Sequence, residues 1–134
     1  MRSKMYVVSV EAHYDSAHYL RHYQGKCERL HGHRYTVHVA LATEELDQAG
    51  LAFDFIDIKR HLRDVTEYLD HTNLNEVPPF DRIEPSAENQ ARFIYDELKR
   101  RLPGPMAEAL LYVRVWETPT QWAQYSEKAG AAFA

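Results

Sequence analysis

Residues 33 to 41 alternate without a break, with His33, Tyr35, Val37, Val39 and Leu41 on one side and Arg34, Thr36, His38 and Ala40 on the other. Side chains of a strand point to opposite faces in turn, so the pattern predicts a half-buried β-strand whose second face meets solvent or a partner. Met5 to Tyr14, rich in β-branched and aromatic residues, reads as a strand before it. Leu111, Val113 and Val115 alternate with Tyr112, Arg114 and Trp116 in a third, Thr118 to Thr120 turns the chain, and Gln121 to Ser126 supplies a fourth. Between these pairs the period changes. Ile58, Leu62, Val65 and Leu69 form one helical stripe, and Ala87, Ala91, Ile94 and Leu98 form another. Ser86 is placed to cap the second helix, Glu88 meets its dipole, and Pro103-Gly104-Pro105 ends it. Asp70 to Glu84 reads as a long loop. The order ββααββ predicts an α+β fold, a four-stranded antiparallel sheet with two helices on one face. Its open edges make self-association into a ring or barrel a way to protect them.

A chain of 134 residues predicts one domain over 1–134, with 129–134 as a fraying tail. The net charge of −4 argues against a nucleic-acid surface, which needs clustered Lys and Arg. No apolar run approaches the ~20 residues of a membrane helix, and no apolar segment follows the N-terminal charges as in a secretory signal. One cysteine cannot form an internal disulfide, which fits a reducing cytoplasm.

The chemistry concentrates in Cys27-Glu28-Arg29-Leu30-His31-Gly32-His33. On a strand, His31 and His33 share a face, roughly 6–7 Å apart along the backbone. Two imidazoles on one face are half of a metal site, and catalytic zinc takes three protein ligands and keeps one position open. His18 is the best-placed third ligand and His13 its rival, while His22, His38 and His61 receive no role. A lone cysteine is ordinarily a small buried hydrophobe. Cys27 instead sits in a polar stretch, where zinc, His or Lys nearby would raise its thiolate fraction. Asp70 beside His71 can orient an imidazole, or can merely terminate the first helix. Glu117 closes an apolar row, where a carboxylate needs donors or water. A 2-amino-4-oxo-pyrimidine edge, with two parallel N–H groups, would satisfy it bidentately.

Taken together, Ser16-Ala17-His18, Cys27-x-x-x-His31-Gly32-His33, Phe53-Asp54-Phe55, Leu69-Asp70-His71-x-x-Leu74-Asn75, Pro85-Ser86-Ala87-Glu88-Asn89 and Val115-Trp116-Glu117-Thr118 resemble the 6-pyruvoyl-tetrahydropterin synthase / 6-carboxytetrahydropterin synthase family. The motifs span nearly the whole chain and occur in order. The resemblance implies the tunnelling fold, with trimers stacked into homohexamers and active sites between subunits. It implies zinc on His18, His31 and His33. It implies proton transfer by Cys27 with Asp70 and His71 of a neighbouring subunit, and a pterin ring anchored by Glu117, with Thr118, Ser86 and Glu28 at the substrate. Ala87 stands where some relatives carry a second hydroxyl.

The implied substrate is 7,8-dihydroneopterin triphosphate. The short Cys-x-x-x-His-Gly-His spacing looks like the bacterial 6-carboxytetrahydropterin synthases, which release acetaldehyde and triphosphate on the way to 7-deazapurines such as queuosine. Glu28 opens an alternative, since some relatives use a glutamate at this place to form a 6-hydroxymethylpterin on the folate route. The 6-pyruvoyl activity is a further alternative. From other classes, a zinc-holding pterin binder would not need Cys27, Asp70 and His71, and a zinc hydrolase would work without Cys27.

Overall fold

The computed structural model describes residues 4–25 and 28–128. The expectations for Cys27 and for the tail 129–134 lie outside the described residues. β1 (Tyr6–His18) and β2 (His31–Thr43) pair antiparallel along their whole length, with Tyr6 opposite Thr43 and His18 opposite His31. β4 (Leu110–Thr118) pairs antiparallel with β2, and β5 (Gln121–Tyr125) with β4. The first two strands run further than the apolar pattern alone suggests, and that extra length carries His18 and His31 into the ladder.

α1 (Phe55–Leu69) is capped by Asp54, whose carboxylate accepts the Ile56 N–H at 2.8 Å. Its stripe Ile58, Leu62, Val65 and Leu69 is buried against the sheet. α2 (Ala87–Arg101) is capped by Ser86, which accepts the Asn89 N–H at 3.2 Å. Glu88 lies in its first turn and Lys99, Arg100 and Arg101 in its last, so charge complements the helix dipole at both ends. Val37, Val39, Leu41, Val113 and Val115 from the sheet meet Leu62, Ile94 and Leu98 from the helices in one core. Burying a side chain of this size contributes ~1.5–3 kcal/mol.

Three expectations need correction. The sheet is mixed and five-stranded, in the order β3-β1-β2-β4-β5, not four-stranded and antiparallel. β3 is only Thr72–Asn73, lying parallel to β1 at Ser16 and Ala17. Two residues cannot show a period, so sequence reads them as loop. The chain reaches this edge because His71 adopts a left-handed backbone, φ 57°, directly after α1. A 3-10 turn, Leu74–Glu76, follows within the same stretch. Next, Pro103-Gly104-Pro105 does not only end a helix: it opens α3 (Gly104–Ala109), where proline suits a first turn whose N–H groups lack intrahelical partners. Finally, a register shift between Ala40 and Leu41 puts Leu110, rather than Leu111, into the buried row of β4.

Candidate functional site

The β1–β2 ladder places His18 directly opposite His31, and His33 lies two residues on, on the same face. The Nε2 atoms of His18 and His31 are 3.0 Å apart. Glu117, at the end of the inward row of β4, brings Oε1 to 3.1 Å from His33 Nε2 and 3.5 Å from His18 Nε2. One ligand atom from each of these four residues lies within 4.8 Å of the other three.

Hydrogen bonds settle what the rings offer. A carbonyl oxygen can only accept, so His18 Nδ1–H donates to Pro85 O at 2.7 Å and His31 Nδ1–H donates to Arg29 O at 2.6 Å. In the neutral rings both Nε2 atoms therefore present lone pairs, and at 3.0 Å these repel unless a cation is shared between them. Ligands 2.0–2.1 Å from a tetrahedral ion stand about 3.3 Å apart, close to what is seen. Backbone carbonyls on the far ring nitrogens are the usual outer support of metal-binding histidines. The donor set fits a metal ion.

Burial and the neighbouring imidazoles lower the His33 pKa, with Glu117 opposing them. The imidazoles around it, His18 at 3.5 Å first and then His33 and His31, hold the Glu117 carboxyl below the usual carboxylate range against its desolvation. Tyr35 sets its hydroxyl 3.1 and 3.2 Å from the two ring nitrogens of His18 and stacks on Tyr14 at 5.0 Å. Burial pushes both phenols up, so they stay neutral. The Tyr14 hydroxyl donates to Gln90 Oε1 at 2.6 Å, and Gln90 Nε2–H donates to Pro85 O at 2.9 Å. That carbonyl is the one orienting His18.

Asp70 and His71 form a second group at the β3 edge of β1. Asp70 Oδ2 is 2.8 Å from His71 Nδ1, and Asp70 Oδ1 accepts the Asp15 backbone N–H at 2.8 Å. The His71 N–H donates to Asp15 O at 2.6 Å. The Asp15 amide first, and then His71, keep the Asp70 carboxyl low. Asp15, His33, Arg34 and His71 line one shallow groove of about 430 Å³.

Of the other expected site residues, Thr118 joins His33, Glu117 and Trp116 around a cavity of about 610 Å³. Ala87 and Glu88 line a smaller one, about 180 Å³, that also reaches Glu117. The Ser86 hydroxyl is engaged as the α2 cap. Glu28 is exposed and not among the four clustered residues. His13 pairs with Thr36 Oγ1 at 3.2 Å and His38 with Glu11 at 3.4 Å, both away from the cluster. A larger cleft, about 730 Å³, lies between α1, Pro78–Arg82 and α2, apart from every clustered imidazole. Sequence reasoning missed Tyr35, Gln90 and Asp15. Gln90 was findable: it falls at i+3 from Ala87, a polar residue on the apolar stripe of α2.

A family model described as 6-pyruvoyl tetrahydropterin synthase matches residues 7–128. The chain belongs to the 6-pyruvoyl tetrahydropterin synthase family. It is an enzyme of that family, which acts on pterins. It is 35% identical over 127 residues to the 6-carboxy-5,6,7,8-tetrahydropterin synthase of Synechocystis sp., covering 90% of this chain and 93% of that one. It is also 35% identical to the human 6-pyruvoyl tetrahydrobiopterin synthase, over 98 residues that cover 70% of this chain and 66% of that one. Its fold is similar to that of the Caenorhabditis elegans 6-pyruvoyl tetrahydropterin synthase, with a TM-score of 0.83, 25% identity, and coverage of 96% and 99%. Among the described residues no helix is long and apolar enough to cross a membrane.

Proposed function

We propose that the chain converts 7,8-dihydroneopterin triphosphate to 6-carboxy-5,6,7,8-tetrahydropterin, with acetaldehyde and triphosphate leaving, using zinc held by His18, His31 and His33. The observation that carries this is the convergence of three imidazoles, two with their far nitrogens held by backbone carbonyls. Support for the 6-carboxy branch comes from extent: the Synechocystis relative of that name aligns over 90% of the chain, the human 6-pyruvoyl relative over 70%.

When bound, zinc supplies Lewis-acid polarisation of the hydroxyls on the substrate side chain. Glu117 meets the pterin edge through two parallel hydrogen bonds, and its lowered pKa keeps it a pure acceptor at neutral pH. Thr118 beside it and Ser86 at the head of α2 complete the substrate contacts, with Glu28 at the loop before β2. Asp70 holds the Nδ1–H of His71 and so leaves Nε2, on a largely exposed ring, to take and return protons. Cys27 is the partner group on the resemblance alone. Such acid–base assistance contributes ~10²–10⁴-fold. The active unit is a cytoplasmic homohexamer of stacked trimers with sites between subunits. Exposed Phe55 and Ile56 at the head of α1 and Trp122 on β5 are apolar surface that assembly would cover.

Product analysis tests the reading. Zinc-loaded protein incubated with 7,8-dihydroneopterin triphosphate should yield 6-carboxytetrahydropterin and one acetaldehyde per turnover by mass spectrometry. A 6-hydroxymethylpterin would transfer the decisive role to Glu28, a 6-pyruvoyl product would move the chain to the other branch, and no turnover would leave a pterin-binding protein.

A further inference from the structure

Arg34 and Asp15 face each other across the β1–β2 ladder. The guanidinium fork takes both oxygens of the Asp15 carboxylate, Nε to Oδ1 at 2.9 Å and Nη2 to Oδ2 at 3.1 Å. Beside them stand Asp70 and His71, and one ligand atom each from Asp15, Asp70 and His71 lies within 4.8 Å of the other two. His71 thus has two carboxylates in reach but donates through Nδ1 only to Asp70. Asp70 Oδ1 is already taken by the Asp15 amide, so Oδ2 is the oxygen left for the imidazole.

This second cluster is not arranged for a cation. Asp15 is closed by Arg34, and both Asp70 oxygens hold N–H donors. It is arranged to give His71 one acceptor. We propose that Arg34 is a positioning residue for the Asp70–His71 pair, holding the Asp15 carboxylate away from His71 so that Asp70 alone orients the imidazole. The inference rests on the proton-transfer role proposed above for that pair. Strand alternation supplies the device: His33 points into the metal-binding cluster, and the next residue, on the opposite face, reaches Asp15 and with it the second group. The pair is well exposed, with side chains 68% and 42% accessible, so it adds little to stability and its loss acts through His71 rather than through unfolding.

The test uses full-length zinc-loaded protein and a suppressor. Arg34→Ala frees Asp15 to compete for His71, and kcat should fall roughly 10-fold while KM stays within about 2-fold. Adding Asp15→Asn removes the competitor, so the double variant should recover most of the lost kcat. A second readout needs no substrate: the imidazole ¹⁵N and Nδ1–H shifts of His71, assigned by their loss in His71→Gln, should move in Arg34→Ala and return in the double variant. Three results would overturn the proposal. A raised KM that Asp15→Asn does not relieve would make Arg34 a direct binder of substrate phosphate. A double variant no better than Arg34→Ala would make the pair mere strand support. Unmoved His71 shifts would deny the coupling even if no variant turned the substrate over, an outcome that would by itself count against the proposed activity alone.

Discussion

Gln90 is fully buried yet polar, and replacing it by leucine should cost far more than its small change in shape suggests. In the native chain its Oε1 accepts the Tyr14 hydroxyl at 2.6 Å and its Nε2–H donates to Pro85 O at 2.9 Å. Pro85 O keeps the His18 Nδ1–H, so its loss is partial, about 1 kcal/mol. Tyr14 is 1% exposed and has no other acceptor among the described residues, so its orphaned hydroxyl costs about 1–3 kcal/mol. Against a small gain from the added methyl groups, Gln90→Leu should lose about 2–3 kcal/mol. Unfolding entropy near 2.1 cal/mol/K per residue gives ~0.28 kcal/mol/K for 134 residues, hence a Tm lower by roughly 7–11 °C. Adding Tyr14→Phe deletes the orphan and should restore about half of that. The same variants report on the site. With one donor fewer on Pro85 O, the support under His18 loosens, and zinc affinity should weaken about 10-fold, the low end for outer-shell changes. Calorimetry of metal-free protein and competitive zinc titration read the two effects. A loss under about 0.5 kcal/mol, or no recovery on adding Tyr14→Phe, would refute the network as the source of the cost.

Glu117→Gln should leave zinc stoichiometry unchanged by elemental analysis while raising KM for the pterin at least 10-fold; loss of zinc would instead make Glu117 a fourth ligand. Ser86→Ala removes the α2 cap and should lower stability by about 1 kcal/mol, read as a Tm drop of roughly 3–4 °C. Tyr14 and Tyr35 have folded pKa values raised by burial above an unfolded value near 10. Their contribution is complete below that value and is lost as pH rises through the folded ones, so denaturant midpoints should fall above about pH 10, less steeply in Tyr14→Phe.

What sequence determined by itself is whatever repeats over a few residues. Alternation from His33 to Leu41 announces a strand with one buried face, and extending that strand back to His31 puts His31 and His33 on one side. Helical stripes, the Ser86 cap and the proline punctuation are local in the same sense, since each depends on neighbours within a turn or two. The metal-binding trio needed one thing more: the register that sets His18 opposite His31, thirteen residues away in the chain. Glu117 was legible as an odd carboxylate ending an apolar row, but its 3.1 Å approach to His33 follows from β4 pairing with β2. Only the tertiary structure decided that Thr72–Asn73 would dock on β1, that Gln90 would brace the carbonyl behind His18, and that Arg34 would occupy Asp15 beside His71. No spacing encodes these contacts. They join strands and helices remote in sequence, and they form because a buried or crowded polar group must find its partner wherever packing of the apolar faces brings one.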